Sequence, residues 1–288
     1  MGSVGEDLYL LNRNPEESAR LNKQHGFLVD LIGGTPIHPS IPTDNVTAVA
    51  DVGTGTGVWL ASLPDSLPTS NTPLYLHGFD ISPTQFPFYK DTTPTRELHL
   101  SVHDARNRFP AEHHGRYDLV HLRLLVGAFQ EDDYVRTIHN VYELLKPGGH
   151  LQWDECSCSA FATAEDPPSE ITRAVQQIIV DAVHNLQLAV DPPALIERLA
   201  GEVGFVDVAR TRYTTLDKPH LHGTARAWIL KLMTTLLPNS VASCVRGAER
   251  EAAMQRAERL LKEFEGHCER VLPLVNLQVI VGRKPLSA

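Results

Sequence analysis

No stretch of this chain limits its fold more than Asp51-Val-Gly53-Thr-Gly55-Thr-Gly57. The apolar run Val46 to Val52 leads into it and the helix-compatible segment Val58 to Leu63 leaves it, so the local reading is strand, turn, helix. Glycines at alternate positions let the backbone bend sharply and come close to a ligand that a Cβ would exclude.

The rest of the chain repeats the alternation. Strand-length apolar runs lie at Leu74 to Phe79, Leu98 to Val102, Tyr117 to Leu122 and His150 to Trp153, and a helix from Asp132 to Leu145 stops at Lys146-Pro147-Gly148-Gly149. Helices follow near Ser169 to Leu188 and Pro192 to Val203, then two late strands, Val206 to Tyr213 and Val275 to Val281, with a helical segment from His222 to His267 between them. Upstream, a helical pattern runs to about Ile32 and breaks at Gly33-Gly34. Strands alternating with helices predict an α/β fold with a mostly parallel sheet. At 288 residues, one compact unit is expected.

The glycine spacing is GxGxG. A dinucleotide fingerprint would carry its third glycine where Val58 stands. Asp51 at the head of the turn suits a cation better than a pyrophosphate, and the methionine end of S-adenosylmethionine offers one, directly or through water. Asp80, in Gly78-Phe-Asp-Ile81-Ser, stands where a carboxylate accepts both ribose hydroxyls. Asp104 could accept from an adenine amino group, with Ala105 leaving room for the ring. Each carboxylate alone also reads as a turn cap or loop residue. Three of them in order on consecutive strand ends read as one site.

A net charge of −9 would repel a phosphate backbone, and the arginines at 246, 250, 256 and 259 are interleaved with glutamates as on a solvated helix face, so no nucleic acid is expected. The cysteines Cys156, Cys158, Cys244 and Cys268 make neither a disulfide framework nor a zinc pattern. Met1 to Asn14 shows no signal-peptide character and no apolar stretch approaches membrane-spanning length, which predicts a cytoplasmic protein, with the nucleus as alternative and no membrane partner.

Val49 to Trp59, Gly78 to Ser82, Asp104-Ala105, Tyr117 to Arg123 and Leu145 to Glu155 together resemble the successive motifs of class I S-adenosylmethionine-dependent methyltransferases, over about half the chain. Tyr-Asp-Leu-Val-His-Leu-Arg, Leu-Leu-Lys-Pro-Gly-Gly-His-Leu-Gln-Trp-Asp-Glu and the upstream Glu17-Ser-Ala-Arg-Leu-Asn-Lys-Gln-His25 resemble the fungal secondary-metabolite branch. The resemblance implies a Rossmann-like seven-stranded sheet with its last strand antiparallel, S-adenosyl-L-methionine as cofactor across strands one and two, and extra helices roofing the substrate. The expected organisation is an N-terminal helical cover (1–43), a cofactor-binding core (44–155), a helical insertion (156–190) and completion of the sheet with lid helices (191–288). Cofactor-binding candidates are Asp51, Gly53, Gly55, Gly57, Asp80, Ile81, Asp104 and Ala105, joined by Tyr9 and Arg20 from the cover.

Methyl transfer from a sulfonium needs alignment and dryness more than a base. For a hydroxyl acceptor, His121 and His25 are the candidate bases at the pocket mouth, against the alternatives of a packed and a surface histidine. No metal is expected, since the adjacent carboxylates Asp154 and Glu155 point different ways. The chain reads His121-Leu-Arg-Leu where amine methylases of DNA or glutamine carry Asn/Asp-Pro-Pro-Tyr/Phe. Trp153, Trp228, Phe161 and Met233 are candidates for an apolar acceptor wall or for core. The expected reaction is methylation at oxygen, nitrogen or sulfur of a small-molecule substrate, with a homodimer left open. Alternatives are a cyclisation or dehydration in the same fold, a regulator of secondary metabolism, and an NAD oxidoreductase.

Overall fold

The computed structural model describes residues 15–63, 67, 73–87, 96–157 and 161–286. Strand β1 (Ala48–Val52) is buried at all five positions, as a central parallel strand covered on both faces must be. Parallel to it run β2 (Leu74–Asp80), β3 (Arg96–Val102), β4 (Tyr117–Arg123) and β5 (Leu145–Glu155). The late strands β7 (Val206–Thr214) and β9 (Asn276–Arg283) complete a seven-stranded sheet in the order β3-β2-β1-β4-β5-β9-β7. The last strand, β9, lies antiparallel between β5 and β7. This is the expected Rossmann-like sheet.

Two helical layers cover it. On one face α3 (Glu131–Leu144) and α5 (Pro192–Val203) close a core around Tyr134, Leu144, Trp153 and Ile280. A capping box between Gln130 and Asp133 starts α3, while Asp191 caps α5 and the left-handed Gly204 ends it. On the other face α1 (Pro15–Ile32), the short α2 (Val58–Ser62), α4 (Glu170–Asn185) and α6 (His222–Cys244) share a core with Leu119 and Val279. Helix α7 (Glu249–His267) packs on α4 and α6.

Three local features refine the sequence reading. The helical segment from His222 to His267, whose inner boundary the sequence reading left open, is two helices separated at Val245–Ala248, where Gly247 turns left-handed (φ 71°). Strand β5 starts at Leu145, not His150: Leu145 already pairs with Tyr117, and the chain bulges through Pro147-Gly148 before regaining register at His150. The two-residue strands β6 (Ala162–Thr163) and β8 (Pro273–Leu274), too short for any pattern, pair with each other beside the main sheet. Among the described residues no helix is long and apolar enough to cross a membrane.

At that bulge a Cβ on Gly149 would stand 3.0 Å from the carbonyl oxygens of both Lys146 and Tyr117. Backbone cannot yield as a side chain can, so Gly149→Ala is expected to lower stability by about 1–3 kcal/mol, read as a shifted urea midpoint with an unchanged slope.

Candidate active site

All three glycines after β1 have left-handed backbones: Gly53 at φ 75°, Gly55 at 53° and Gly57 at 72°. The turn is pinned to β2, where Gly53 N and Thr54 N both donate to the Phe79 carbonyl at 2.7 and 3.0 Å. Asp80 ends β2 directly against it. One carboxylate oxygen accepts from Gly55 N at 2.9 Å and the other from Ser82 N at 3.0 Å. Beside it Ile81 is 50% and Val102 58% exposed, two large apolar side chains left open at paired strand ends. Helix α1 lies over the turn, with Thr56 Oγ1 donating to Asn22 Oδ1 at 2.7 Å.

The remaining predicted cofactor residues are less open. Asp104 stands one strand further out and is clasped by its neighbour: both carboxylate oxygens accept from the Arg106 guanidinium at 2.9–3.1 Å. Partial burial works to raise its pKa, yet these bonds hold it below the ordinary value. The Ala105 carbonyl accepts from Asn140 Nδ2. Arg20 turns back along α1 onto Glu17 at 2.6 and 2.8 Å and onto Gln24 at 3.3 Å. Tyr9 lies outside the described residues.

Asp51 and His121 occupy paired positions on β1 and β4, and their side chains meet in the interior. His121 is only 1% exposed, so it does not stand at a pocket mouth as expected of a base. Its Nδ1 lies 2.7 Å from Asp51 Oδ1, its Nε2 3.3 Å from Asp154 Oδ2, and its ring stacks on Trp59 at 3.8 Å and 2°. Burial opposes the charged form, but the bonds to Asp154 and Asp51 outweigh it and raise the pKa. The second oxygen of Asp51 accepts from Thr54 Oγ1 at 2.6 Å, and Asp154 Oδ1 accepts from Gln152 Nε2 at 3.0 Å. His25, also buried, reaches this cluster through Arg123, whose Nη1 lies 3.3 Å from His25 Nδ1. An arginine only donates, so Nδ1 is the acceptor and the proton of neutral His25 sits on Nε2. Desolvation, with Arg123 adding to it, pushes the His25 pKa down to about 4.

Sequence reasoning missed Thr54, Trp59 and Arg123. The period-two alternation Leu119, His121, Arg123 along β4, matched to Asp51 across the register, is the signal that would have found Arg123. Glu155 points away from Asp154: it accepts from the backbone N–H groups of Leu125 and Cys156, and burial pushes its pKa up to about 8. Among the described residues no group of three or more His, Cys, Asp or Glu is arranged to hold a metal ion.

Beyond the ends of β4 and β5 opens an apolar cleft with about 600 Å³ of empty space, its mouth included. Leu124 and Cys156 form its sheet side, Leu28 its α1 side, and Trp228, Leu232 and Met233 its α6 side. Phe161 also lines it, so three of the four predicted wall residues meet there. Trp153 does not; it packs against Tyr134 beneath α3, fully buried.

The family described as "Methyltransferase domain" matches residues 50–151. The methyltransferase grgD of a Penicillium species is 35% identical over 199 residues, which cover 68% of this chain and 68% of that one. The chain belongs to the class I S-adenosylmethionine-dependent methyltransferases, in the fungal secondary-metabolite branch. The N-methyltransferase gliN of Aspergillus fumigatus is 27% identical over 70% of each chain. Among solved structures, a chain of the complex between the Haloferax volcanii Trm112 methyltransferase activator and a methyltransferase aligns with a TM-score of 0.53 over 95% of this chain and 96% of that one, at 17% identity, a likeness of fold.

The methyltransferase's glycine turn fits a nucleoside cofactor. Gln85 carries a buried Nε2 without a hydrogen-bond partner, and its Oε1 lies 4.0 Å from where a Cβ on Gly55 would stand. An orphaned donor beside the Cβ-free Gly55 calls for an acceptor brought by a ligand.

His25, with its folded pKa near 4 against an ordinary 6.5, binds fewer protons in the folded chain than in the unfolded chain between those values. Its contribution to stability is therefore complete above about pH 6.5 and is lost as pH falls toward 4. The methyltransferase is expected to melt at lower temperature at pH 5 than at pH 7, and His25→Gln to flatten that limb by up to about one proton, measured by calorimetric Tm across the window.

Proposed function

We propose that this methyltransferase methylates a nitrogen atom of a small, largely apolar natural product held in the cleft beneath α1 and α6. The cleft is the observation that carries the reading: it is apolar, and it begins at the residues that follow β4 and β5, on the same edge of the sheet as the turn after β1. Pockets of this kind take apolar ligands and orient them through a few polar groups.

Within the reading, Asp80 takes the ribose hydroxyls, Ile81 and Ala105 flank the adenine, Asp104 accepts from its amino group, and Asp51 faces the ammonium of the methionine end. Arg20 braces α1 over the turn through Glu17. Bound S-adenosylmethionine supplies an electrophilic methyl group open to in-line displacement. The chain's own work is to align the acceptor and keep water out.

Nitrogen is favoured over a hydroxyl because a nitrogen lone pair attacks without first losing a proton, and the two candidate bases are committed. Both ring nitrogens of His121 are engaged, and the lone pair of His25 is directed at Arg123. His25 then offers an Nε2–H, suited to holding a carbonyl oxygen of the acceptor. The N-methyltransferase relative gliN points the same way.

Two measurements test the reading. Asp80→Ala is expected to weaken S-adenosylhomocysteine binding by about 1–3 kcal/mol through lost charged hydrogen bonds. Gly55→Val should weaken it further, since a branched side chain at φ 53° is strained. Unchanged calorimetric affinity in both variants would move the cofactor elsewhere. Leu232→Trp, which fills the cleft, is expected to raise the acceptor KM about tenfold or more while cofactor affinity stays constant, judged by mass-spectrometric turnover of nitrogen-containing apolar compounds. Equal turnover of a hydroxyl-only analogue would refute the choice of nitrogen.

A further inference from the structure

His121 is engaged in a way that packing alone does not require. A histidine placed only to fill space needs one hydrogen-bond partner for its N–H; this one is flanked by two carboxylates on two different strands, Asp51 on β1 and Asp154 on β5. Only the doubly protonated ring donates to both, because a neutral ring would turn a lone pair toward one of the anions. Three buried ionisable groups in a row cost more solvation than an apolar trio of the same volume, so the arrangement calls for a use.

What the bridge fixes is the Asp51 carboxylate. With Oδ1 held by His121 and Oδ2 by Thr54, the group has no free rotation, and its remaining lone pairs keep one direction. The far end of the bridge is anchored in turn: Gln152 Nε2 donates both to Asp154 and to the Pro36 carbonyl, and Gln152 Oε1 accepts from His38 N. The stack on Trp59 sets the plane of the ring from the α2 side.

We propose that His121 is a positioning residue for the amino-acid end of the cofactor, acting through Asp51 and itself held by Asp154. The proposal rests on the assignment of Asp51 to the cofactor ammonium. It differs from a structural role in one respect: the loss should fall on ligands that carry the amino-acid end and spare those that lack it.

Two probes separate these outcomes. S-adenosylhomocysteine carries the amino-acid end, while 5′-methylthioadenosine keeps the nucleoside and thioether and lacks it. By calorimetry on the full chain, His121→Phe, which retains a ring for Trp59 and loses both N–H groups, is expected to weaken S-adenosylhomocysteine about tenfold to hundredfold and 5′-methylthioadenosine less than about threefold. Asp154→Asn, on a different strand, should show the same selectivity at about threefold to tenfold. It carries the test with Thr54→Val if His121→Phe gives no cooperative melt. Equal losses for both ligands, or none, overturn the proposal. If Asp51→Asn is selective and the His121 and Asp154 variants are not, the Asp51 assignment survives without the bridge. If Asp51→Asn is itself unselective, the assignment and the proposal fall together.

Discussion

The chain leaves β1 for α2 through three left-handed residues, and only glycine adopts that backbone without strain. The rest of the site depends on this bend. Left-handed Gly53, Gly55 and Gly57 bend the chain back on the end of β2, where Gly78 leaves room for the Thr54 side chain, so that Asp80 accepts from Gly55 N and the Phe79 carbonyl takes two more N–H groups. A parallel sheet then does the remaining placement, since every forward crossing delivers its loop to the same edge. Asp51, Asp80 and Asp104 therefore come to one edge of the sheet, at the ends of β1, β2 and β3, although they are separated by tens of residues. The antiparallel β9 is the exception: entering from the opposite direction, it brings Val275 and Asn276 to the cleft from the far end of the chain.

The two faces of the sheet carry different duties. Beneath α3 and α5 the packing is aromatic and closed, with Tyr134, Trp153 and Phe205 buried. Beneath α1, α4 and α6 the same depth holds a cleft and a row of charges. Helix α6 packs on α1, α4 and α7 and turns Ile229, Met233, Leu236 and Leu237 inward, while Thr224, Lys231 and Thr234 stay exposed. A wall of that kind can surrender contact area to a ligand without exposing the sheet to water.

Much of this was legible in the amino-acid order. Strands and glycine turns announce themselves through local pattern, so β1, β2, β4 and β9 fall within a few residues of their predicted positions, and Gly204 ends α5 where a left-handed cap should. What stayed hidden depends on neighbours distant in sequence. Leu145 joins β5 because Tyr117 is waiting beside it, not because of its own surroundings. His121 ends an apolar strand and so reads as a group near a pocket mouth; its real environment is set by Asp51 seventy positions earlier, Asp154 and a tryptophan on α2. The lone pair of His25 is likewise spent on an arginine ninety-eight positions away.

Charge accounting ties these observations together. Asp51 and Asp154 are nearly inaccessible to water, and groups of one sign buried that deeply need partners of the other. His121 as an imidazolium and Arg123 beside it supply two positive charges against the two negative ones, so the cluster is close to neutral. Fixed charges held this way need no reorganisation when a cationic ligand arrives, whereas a carboxylate in water would have to shed its own solvent first. Burial above all keeps His25 neutral, and Arg123 and His121 add to it by disfavouring a further proton there. One buried cluster thus fixes the Asp51 carboxylate in place and leaves an uncharged donor on His25, a division that neither histidine's place in the sequence expresses.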